Sequence, residues 1–320
     1  MTPSKISLAL KPTPLEFLPH LTLAWQGPRL WVKRDDLTGF ELSGNKVRKL
    51  EYHLAAAIAE GADTVITAGA VQSNHCRATA LSAARLGLAC ILVIRTSDGQ
   101  PPALVTGNHR LHQLAGARIV YVDPDRYRGR DNHMADLAAG VAEAGGVAWV
   151  IPEGASDALG MLGMADAYEE LHRQLAQNDL EPAAVWHASS SAGTTAGFGW
   201  GRQRIGSTAP IIAVSVGDPA PVLSAHVERL WTKAVALFGG EFPTAAIEYR
   251  DDFVAGGYAM IDPAQPAIEA AATAATGLLF DPTYTGKALF ALHEEIRSGR
   301  FDRDDDVVFW HTGGGFAALA

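Results

Sequence analysis

Apolar positions along the chain alternate between two rhythms. Short continuous runs, such as Thr64-Val65-Ile66-Thr67, are each followed by a turn and a stretch with apolar residues at helical spacing. The pattern predicts strands at Thr64–Thr67, Ala89–Ile94, Ala117–Val122, Ala148–Ile151, Val185–Ala188, Ile211–Val216 and Val307–His311. Between them it predicts helices over Asn74–Leu86, Asn108–Ala115 and Met134–Ala144. Leu50, Leu54, Ala57 and Ile58 recur behind Asn45, so a further helix starts near that residue. Short apolar strands alternating with helices predict an α/β protein with parallel-rich sheets. Ligands in such folds gather beyond the carboxyl ends of the strands.

Lys46 falls in the first turn of the helix predicted behind Ser43-Gly44-Asn45. The positive end of the helix dipole there disfavours a protonated amine. A lysine with a lowered pKa is a candidate Schiff-base nucleophile, and a solvated surface lysine is the plain alternative. Three loops after strands carry the other candidate chemistry. In Thr67-Ala68-Gly69-Ala70-Val71-Gln72-Ser73-Asn74-His75, Ser73 is placed to cap a helix. That loop reads either as the cap alone, with His75 on the helix surface, or as a polar cluster that binds a carboxylate or phenolate oxygen. Ala188 to Gly197 is built of small residues and hydroxyls, which let backbone N–H groups close around a phosphate. It lacks the Gly-Lys-Ser/Thr ending of a Walker loop and the Gly-x-Ser-x-Gly elbow of a serine nucleophile. His311-Thr312-Gly313-Gly314-Gly315 brings a hydroxyl and a glycine backbone to the end of the last predicted strand.

Length and charge narrow the field. A chain of 320 residues, 48% hydrophobic and 19% charged, predicts two lobes around a large core. The net charge of −9 argues against a nucleic-acid binder. Cys76 and Cys90 form no CxxC pair, which fits a reducing compartment, and no metal site is expected. No signal-type or membrane-spanning run is visible, so a soluble cytoplasmic protein is expected. The acidic run Asp302 to Asp306 reads as a solvated loop.

Several segments together resemble a known family. They are Val32-Lys33-Arg34-Asp35-Asp36, Gly44-Asn45-Lys46 through Tyr52, Gln72-Ser73-Asn74-His75-Cys76-Arg77, Gly107-Asn108, Ala158-Leu159-Gly160, Ser191-Ala192-Gly193-Thr194, Asp281-Pro282-Thr283-Tyr284-Thr285-Gly286-Lys287 and His311-Thr312-Gly313-Gly314. In this order they resemble pyridoxal-phosphate enzymes of fold type II, the tryptophan-synthase-β-like group. More narrowly, the chain is similar to D-cysteine desulfhydrases and 1-aminocyclopropane-1-carboxylate deaminases. The resemblance implies a two-lobed, three-layer α/β/α fold. Residues 1–47 and 156–320 would form the larger cofactor-binding domain and residues 48–155 a smaller α/β domain, in a homodimer.

The resemblance also implies roles. Lys46 matches the lysine that binds pyridoxal 5'-phosphate covalently. Asn74 matches the residue that hydrogen-bonds the cofactor's phenolic oxygen, and Ser73 one that meets the substrate carboxylate or assists proton transfer. Ser190, Ser191, Ala192, Gly193 and Thr194 match the phosphate loop. Tyr258 and Tyr284 match two active-site tyrosines. Thr312 matches a hydroxyl near the pyridine nitrogen. Thr285 replaces the glutamate that the cyclopropane deaminases carry, as it does in the desulfhydrases. The implied activity is β-elimination from a small amino acid, with D-cysteine favoured. L-Cysteate and the cyclopropane amino acid are the alternatives. A catalytically silent cofactor-binding or metabolite-binding protein is the alternative of another class, and the intact Lys46, phosphate loop and tyrosine pair argue against it. A sulfonate would need extra donors, for which Arg77, His75 and Arg110 have no assigned place. Glu153 in the pocket would disfavour a second anionic group on the substrate, and it is expected to face solvent.

Overall fold

The computed structural model describes residues 3–244 and 246–320. Its strands are β1 (Leu15–Phe17), β2 (Arg29–Arg34), β3 (Thr64–Ala70), β4 (Ala89–Arg95), β5 (Arg118–Val122), β6 (Ala148–Val150), β7 (Ala184–Ser189), β8 (Ile211–Ser215), β9 (Ile247–Arg250) and β10 (Asp306–His311). Its helices are α1 (Pro19–Trp25), α2 (Lys46–Ala59), α3 (Asn74–Arg85), α4 (Gly107–Leu114), α5 (Pro124–Arg128), α6 (Arg130–Glu143), α7 (Met161–Gln177), α8 (Gly193–Ile205), α9 (Ala220–Phe238), α10 (Gln265–Thr276) and α11 (Thr285–Arg297).

The strands form two sheets. One has the order β1-β2-β10-β7-β8-β9, the other β5-β4-β3-β6. Every pairing is parallel except β1 with β2. In the centre of the larger sheet, Phe309 of β10 pairs with Val32 of β2 and with Trp186 of β7.

Both faces of each sheet are covered, which is why their strands read as continuous apolar runs. On β10, Val307 and Phe309 pack with Ala288, Leu289 and Leu292 of α11. Val308 and Trp310 pack on the other face with Met164 and Leu171 of α7 and Phe198 of α8. In the smaller sheet, Val65 and Leu92 meet α2 and α3 through Leu54 and Ala80, while Ile66 and Val93 meet Met134 of α6. Each sheet is thus the middle of three layers.

The helices next to the larger sheet approach closely because α7 and α8 carry glycine at the contacts. A Cβ on Gly163 would lie 2.1 Å from the Arg48 carbonyl of α2, and one on Gly197 would lie 2.4 Å from the Met161 carbonyl. Beneath α2 lies a buried ionic network. Arg48 donates to Asp35 and Glu170, and Lys33 donates to Glu170 and to the Thr13 carbonyl. The segment Val32-Lys33-Arg34-Asp35-Asp36 therefore serves to fix α2.

Three expectations need correction. Strands β1, β2 and β9 were not predicted by the apolar pattern. His75 is buried rather than on a helix surface, with Nε2 2.8 Å from Thr67 Oγ1. Asp306 is not in the solvated loop but opens β10, where Arg29 and the Trp31 indole bind its carboxylate. No helix is long and apolar enough to cross a membrane among the described residues.

Candidate active site

Lys46 is the first residue of α2. The turn before it is laid against the loop after β10. Asn45 N–H donates to the Thr312 carbonyl at 3.0 Å, and a Cβ on Gly44 would sit 2.8 Å from that oxygen. Gly44 also has φ +108°, so a side chain is excluded on two grounds. Thr38 Oγ1 accepts from Gly44 N–H and donates to its carbonyl, which locks the turn. Lys46 has a pKa lowered to about 8 because it is desolvated, while Glu153 and Asp281 partly offset this. Burial is the main cause. Its amine makes no hydrogen bond or close ion pair among the described residues.

The loops after β7 and β3 meet this lysine. Ala192 takes the left-handed conformation at φ +63° and opens α8. Asn45 Nδ2 donates to Thr194 Oγ1 at 3.0 Å and ties the lysine turn to this loop. A Cβ on Gly193 would lie 2.6 Å from Ser156 Oγ and 2.8 Å from Lys49 Nζ. Ser156 Oγ is 2.6 Å from Ser191 Oγ. Lys49 Nζ donates to Ser156 Oγ at 3.2 Å and the Gly154 carbonyl at 3.3 Å. Lys49 is fully buried without a carboxylate partner, and burial, then Lys46, lowers its pKa well below the usual lysine value. A buried amine beside a helix N-terminus is stabilised by an anion. Lys49 was missed by the sequence reading. Its signal was there, since positions three apart share a helix face and Lys46 already pointed inward.

Ser73 caps α3, accepting from Cys76 N–H at 3.1 Å. Asn74 is oriented by Asn108, whose Nδ2 donates to Asn74 Oδ1 at 2.9 Å and to the Gln72 carbonyl at 2.9 Å. With its oxygen engaged, Asn74 is left its amide N–H groups to offer. Thr312 keeps its hydroxyl for a ligand while its carbonyl holds Asn45. Thr285 is fully buried, and its hydroxyl donates to Asp281 Oδ2 and accepts from Asp281 N–H, both at 2.9 Å. It acts first as a brace for Asp281. Asp281 also accepts from the N–H groups of Thr283, Tyr284 and Thr285. Burial still leaves its pKa raised.

Tyr258 and Tyr284 share a hydrogen bond of 2.7 Å between their hydroxyls. Burial raises the pKa of both, so both are neutral phenols at pH 7. Lys287 holds the Tyr258 segment by donating to the carbonyls of Val216, Val254 and Gly257. The tyrosines line a cavity of about 510 Å³ with Gln72, Arg95, Thr96 and Asp281. Glu153 is half-buried rather than simply solvent-facing. It accepts from the Tyr127 hydroxyl at 2.8 Å and pairs with Arg130 at 2.9 Å. Arg77 is buried and donates to the carbonyls of Glu41 and Ser43, and it lines neither this cavity nor the one beside α2 and α7. A second cavity of about 470 Å³, beside α2 and α7, is lined by none of the predicted site residues. Two of its lysines pair with its own carboxylates, Lys5 with Asp166 and Lys11 with Glu51.

The loops that follow β7 and β10 are thus bonded to the turn before Lys46, and His75, after β3, has its pKa lowered by burial and then by the Lys46 charge. The family model described as pyridoxal-phosphate dependent enzyme matches residues 6–313. The chain belongs to that family. As a pyridoxal-phosphate-dependent enzyme it is 38% identical over 324 residues to the D-cysteine desulfhydrase of Salmonella paratyphi A, covering 99% of this chain and 95% of the relative. The D-cysteine desulfhydrase of Salmonella choleraesuis is also 38% identical, over 320 residues with the same coverage. Among solved structures, an ACC deaminase homologue matches with TM-score 0.89 and 31% identity, covering 98% of this chain and 93% of its own. A fungal L-serine ammonia-lyase from Rhizomucor miehei matches with TM-score 0.67 and 18% identity, over 99% of this chain and 96% of its own, which shows the shared fold alone. The fold is that of type II pyridoxal-phosphate enzymes.

The residues present fit this cofactor. The left-handed Ala192, the side-chain-free Gly193 and the unpaired Lys49 make a cup for a phosphate. Lys46 supplies the free amine, and Asn74 an N–H donor.

Proposed function

We propose that this enzyme is a β-elimination lyase acting on a small β-substituted amino acid, most simply D-cysteine. The overall reaction converts D-cysteine and water into pyruvate, ammonia and hydrogen sulfide. The observation that carries the choice is Thr285. It puts a buried neutral hydroxyl, already committed to Asp281, where the ring-opening deaminases carry a glutamate. The relatives named as D-cysteine desulfhydrases support the same choice.

In this reading Lys46 carries the cofactor, and Ser191, Ala192, Gly193 and Thr194, with Lys49 and Ser190, hold its phosphate. Asn74 meets the phenolic oxygen and Thr312 the ring nitrogen. Thr285 supports that end of the ring through Asp281. The cofactor supplies an electron sink for the substrate's α-carbon. The protein does the rest. Ser73, at the N-terminus of α3, receives the substrate carboxylate. The Lys46 amine, whose pKa burial lowers to about 8, would remove the α-proton. Tyr258 and Tyr284, both protonated, donate a hydrogen bond to the departing group. Residues 1–47 with 156–320 and residues 48–155 act as two domains around the cleft, and the working form is a cytoplasmic homodimer, which light scattering of the purified protein tests.

The test of the activity is kcat/KM for D-cysteine against 1-aminocyclopropane-1-carboxylate, with Thr285→Glu alongside. Faster turnover of the cyclopropane substrate by the unmodified enzyme overturns the assignment.

A further inference from the structure

One charged group in the cleft has no task in this scheme. Arg95 ends β4 and lines the cavity that contains Tyr258 and Tyr284. Its guanidinium lies over two aromatic rings, 5.3 Å from the centroid of Tyr127 and 5.8 Å from that of Tyr258. Stacking holds the plane of the group while leaving its N–H edge free. Among the described residues Arg95 makes neither a hydrogen bond nor an ion pair. The next residue, Thr96, lines the same cavity, and its Oγ1 is buried with no hydrogen-bond partner. A buried hydroxyl without a partner is costly unless a ligand completes it.

No carboxylate among the described residues forms an ion pair with this cation. Glu153 is engaged by the Tyr127 hydroxyl and by Arg130, whose own guanidinium lies 5.1 Å from the centroid of the Tyr127 ring. Two guanidiniums and one carboxylate leave the Tyr127 cluster with one positive charge in excess, and Arg95 presents it to the cleft. Asp281 lines the same cavity and is held by three backbone N–H groups and the Thr285 hydroxyl, but it forms no ion pair with Arg95.

We infer that Arg95 and Thr96 form a second anion-binding position in the cleft, which selects substrates whose β-substituent is negatively charged, such as a sulfonate. The inference rests on the lyase reading for its orientation, because the α-carboxylate is assigned to Ser73. Planar N–H pairs of arginine suit an oxyanion, and the Thr96 hydroxyl adds one donor. A thiol is taken at the same place as its anion. Arg95 is therefore a specificity-determining residue that sequence motifs did not reveal.

Binding without turnover separates this inference from the activity. The probes are 3-sulfopropanoate and butanoate, which lack an amine and cannot react. Their Kd values for the holoenzyme are measured by calorimetry. The sulfonate is expected to bind about tenfold more tightly than butanoate, and Arg95→Gln to bring the two within about twofold. Arg95→Lys keeps the charge and should retain part of the preference, which guards against a merely misfolded Arg95→Gln protein. Thr96→Val should weaken the sulfonate about threefold and butanoate less. In turnover, Arg95→Gln should lower kcat/KM for cysteate about tenfold more than for β-chloro-D-alanine, whose substituent is neutral. Equal binding of the two probes by the unmodified enzyme overturns the inference. So does an Arg95→Gln variant that keeps the preference, which would leave Arg95 only as a support for Tyr258. If the sulfonate preference holds while no β-substituted amino acid is turned over, the lyase reading fails and the anion position stands.

Discussion

Lys46 shows how function opposes stability at one residue. Its amine is ionised only at a cost, because burial lowers the pKa to about 8 from an unfolded value near 10.5. The native state therefore binds fewer protons than the unfolded chain between those values. The penalty is full below about pH 8 and fades as pH rises towards 10.5. Lys46→Met should stabilise the cofactor-free protein at pH 7 by about 2 kcal/mol, with the gain disappearing above pH 10. Urea unfolding at the two pH values checks it. The same variant should lose turnover by about a thousandfold or more, since no other amine takes its place. Lys49 makes the complementary case. Lys49→Ala should weaken pyridoxal phosphate binding about tenfold or more and hardly affect pyridoxal, which has no phosphate. Fluorescence titration of both forms decides it. Lys46, Ser73 and Asn74 were legible because they sit at helix starts after recognisable turns. Lys49 carried only the weak signal of sharing a helix face with Lys46, and nothing local marks a stacked arginine such as Arg95. Only the fold reveals that they have no carboxylate partner.

At the scale of elements, the site depends on how closely α2, α7 and α8 approach. Gly163→Ala would drive a methyl into the Arg48 carbonyl and should cost about 3 kcal/mol, lowering cofactor affinity as α2 shifts. The network beneath α2 adds a pH signature. Burial would raise the pKa of Glu170, but Arg48 and Lys33 outweigh it and hold it at about 2. Its contribution to stability is full above the unfolded carboxylate value and is lost as pH falls towards 2. Glu170→Ala should destabilise the protein by about 3–5 kcal/mol at pH 7, since it strands the buried Lys33 and leaves Arg48 with Asp35 alone. The loss should shrink on acidification, which thermal melts from pH 7 to pH 3 measure. These elements also explain what the apolar pattern could and could not show. Strands β3, β4, β7, β8 and β10 are buried on both faces and read clearly, and the partly buried β5 and β6 read from their apolar runs. Strand β1 has three residues, too few for any period to register. Strand β2 ends in Lys33 and Arg34, which look like a surface segment, yet Lys33 is fully buried against Glu170. Strand β9 is an edge strand whose Glu248 and Arg250 form ion pairs with Arg300 and Glu295.

For the whole molecule, the two sheets differ in how their strands are drawn from the chain. The smaller sheet uses residues 64–150 without interruption, so its contacts are comparatively local. The larger sheet is joined at its centre by β10, with β2 on one side and β7 on the other. On a ribosome, β10 is made after all the other described strands. Until it emerges, β2 and β7 wait with unpaired edges, and Thr312 cannot dock on the turn before Lys46. The smaller sheet can mature early, whereas the site's two halves join only after β10 inserts. Cofactor capture is then a late event in the life of each molecule. The waiting edges are where a nascent chain would be vulnerable to mispairing with its neighbours and most in need of a chaperone.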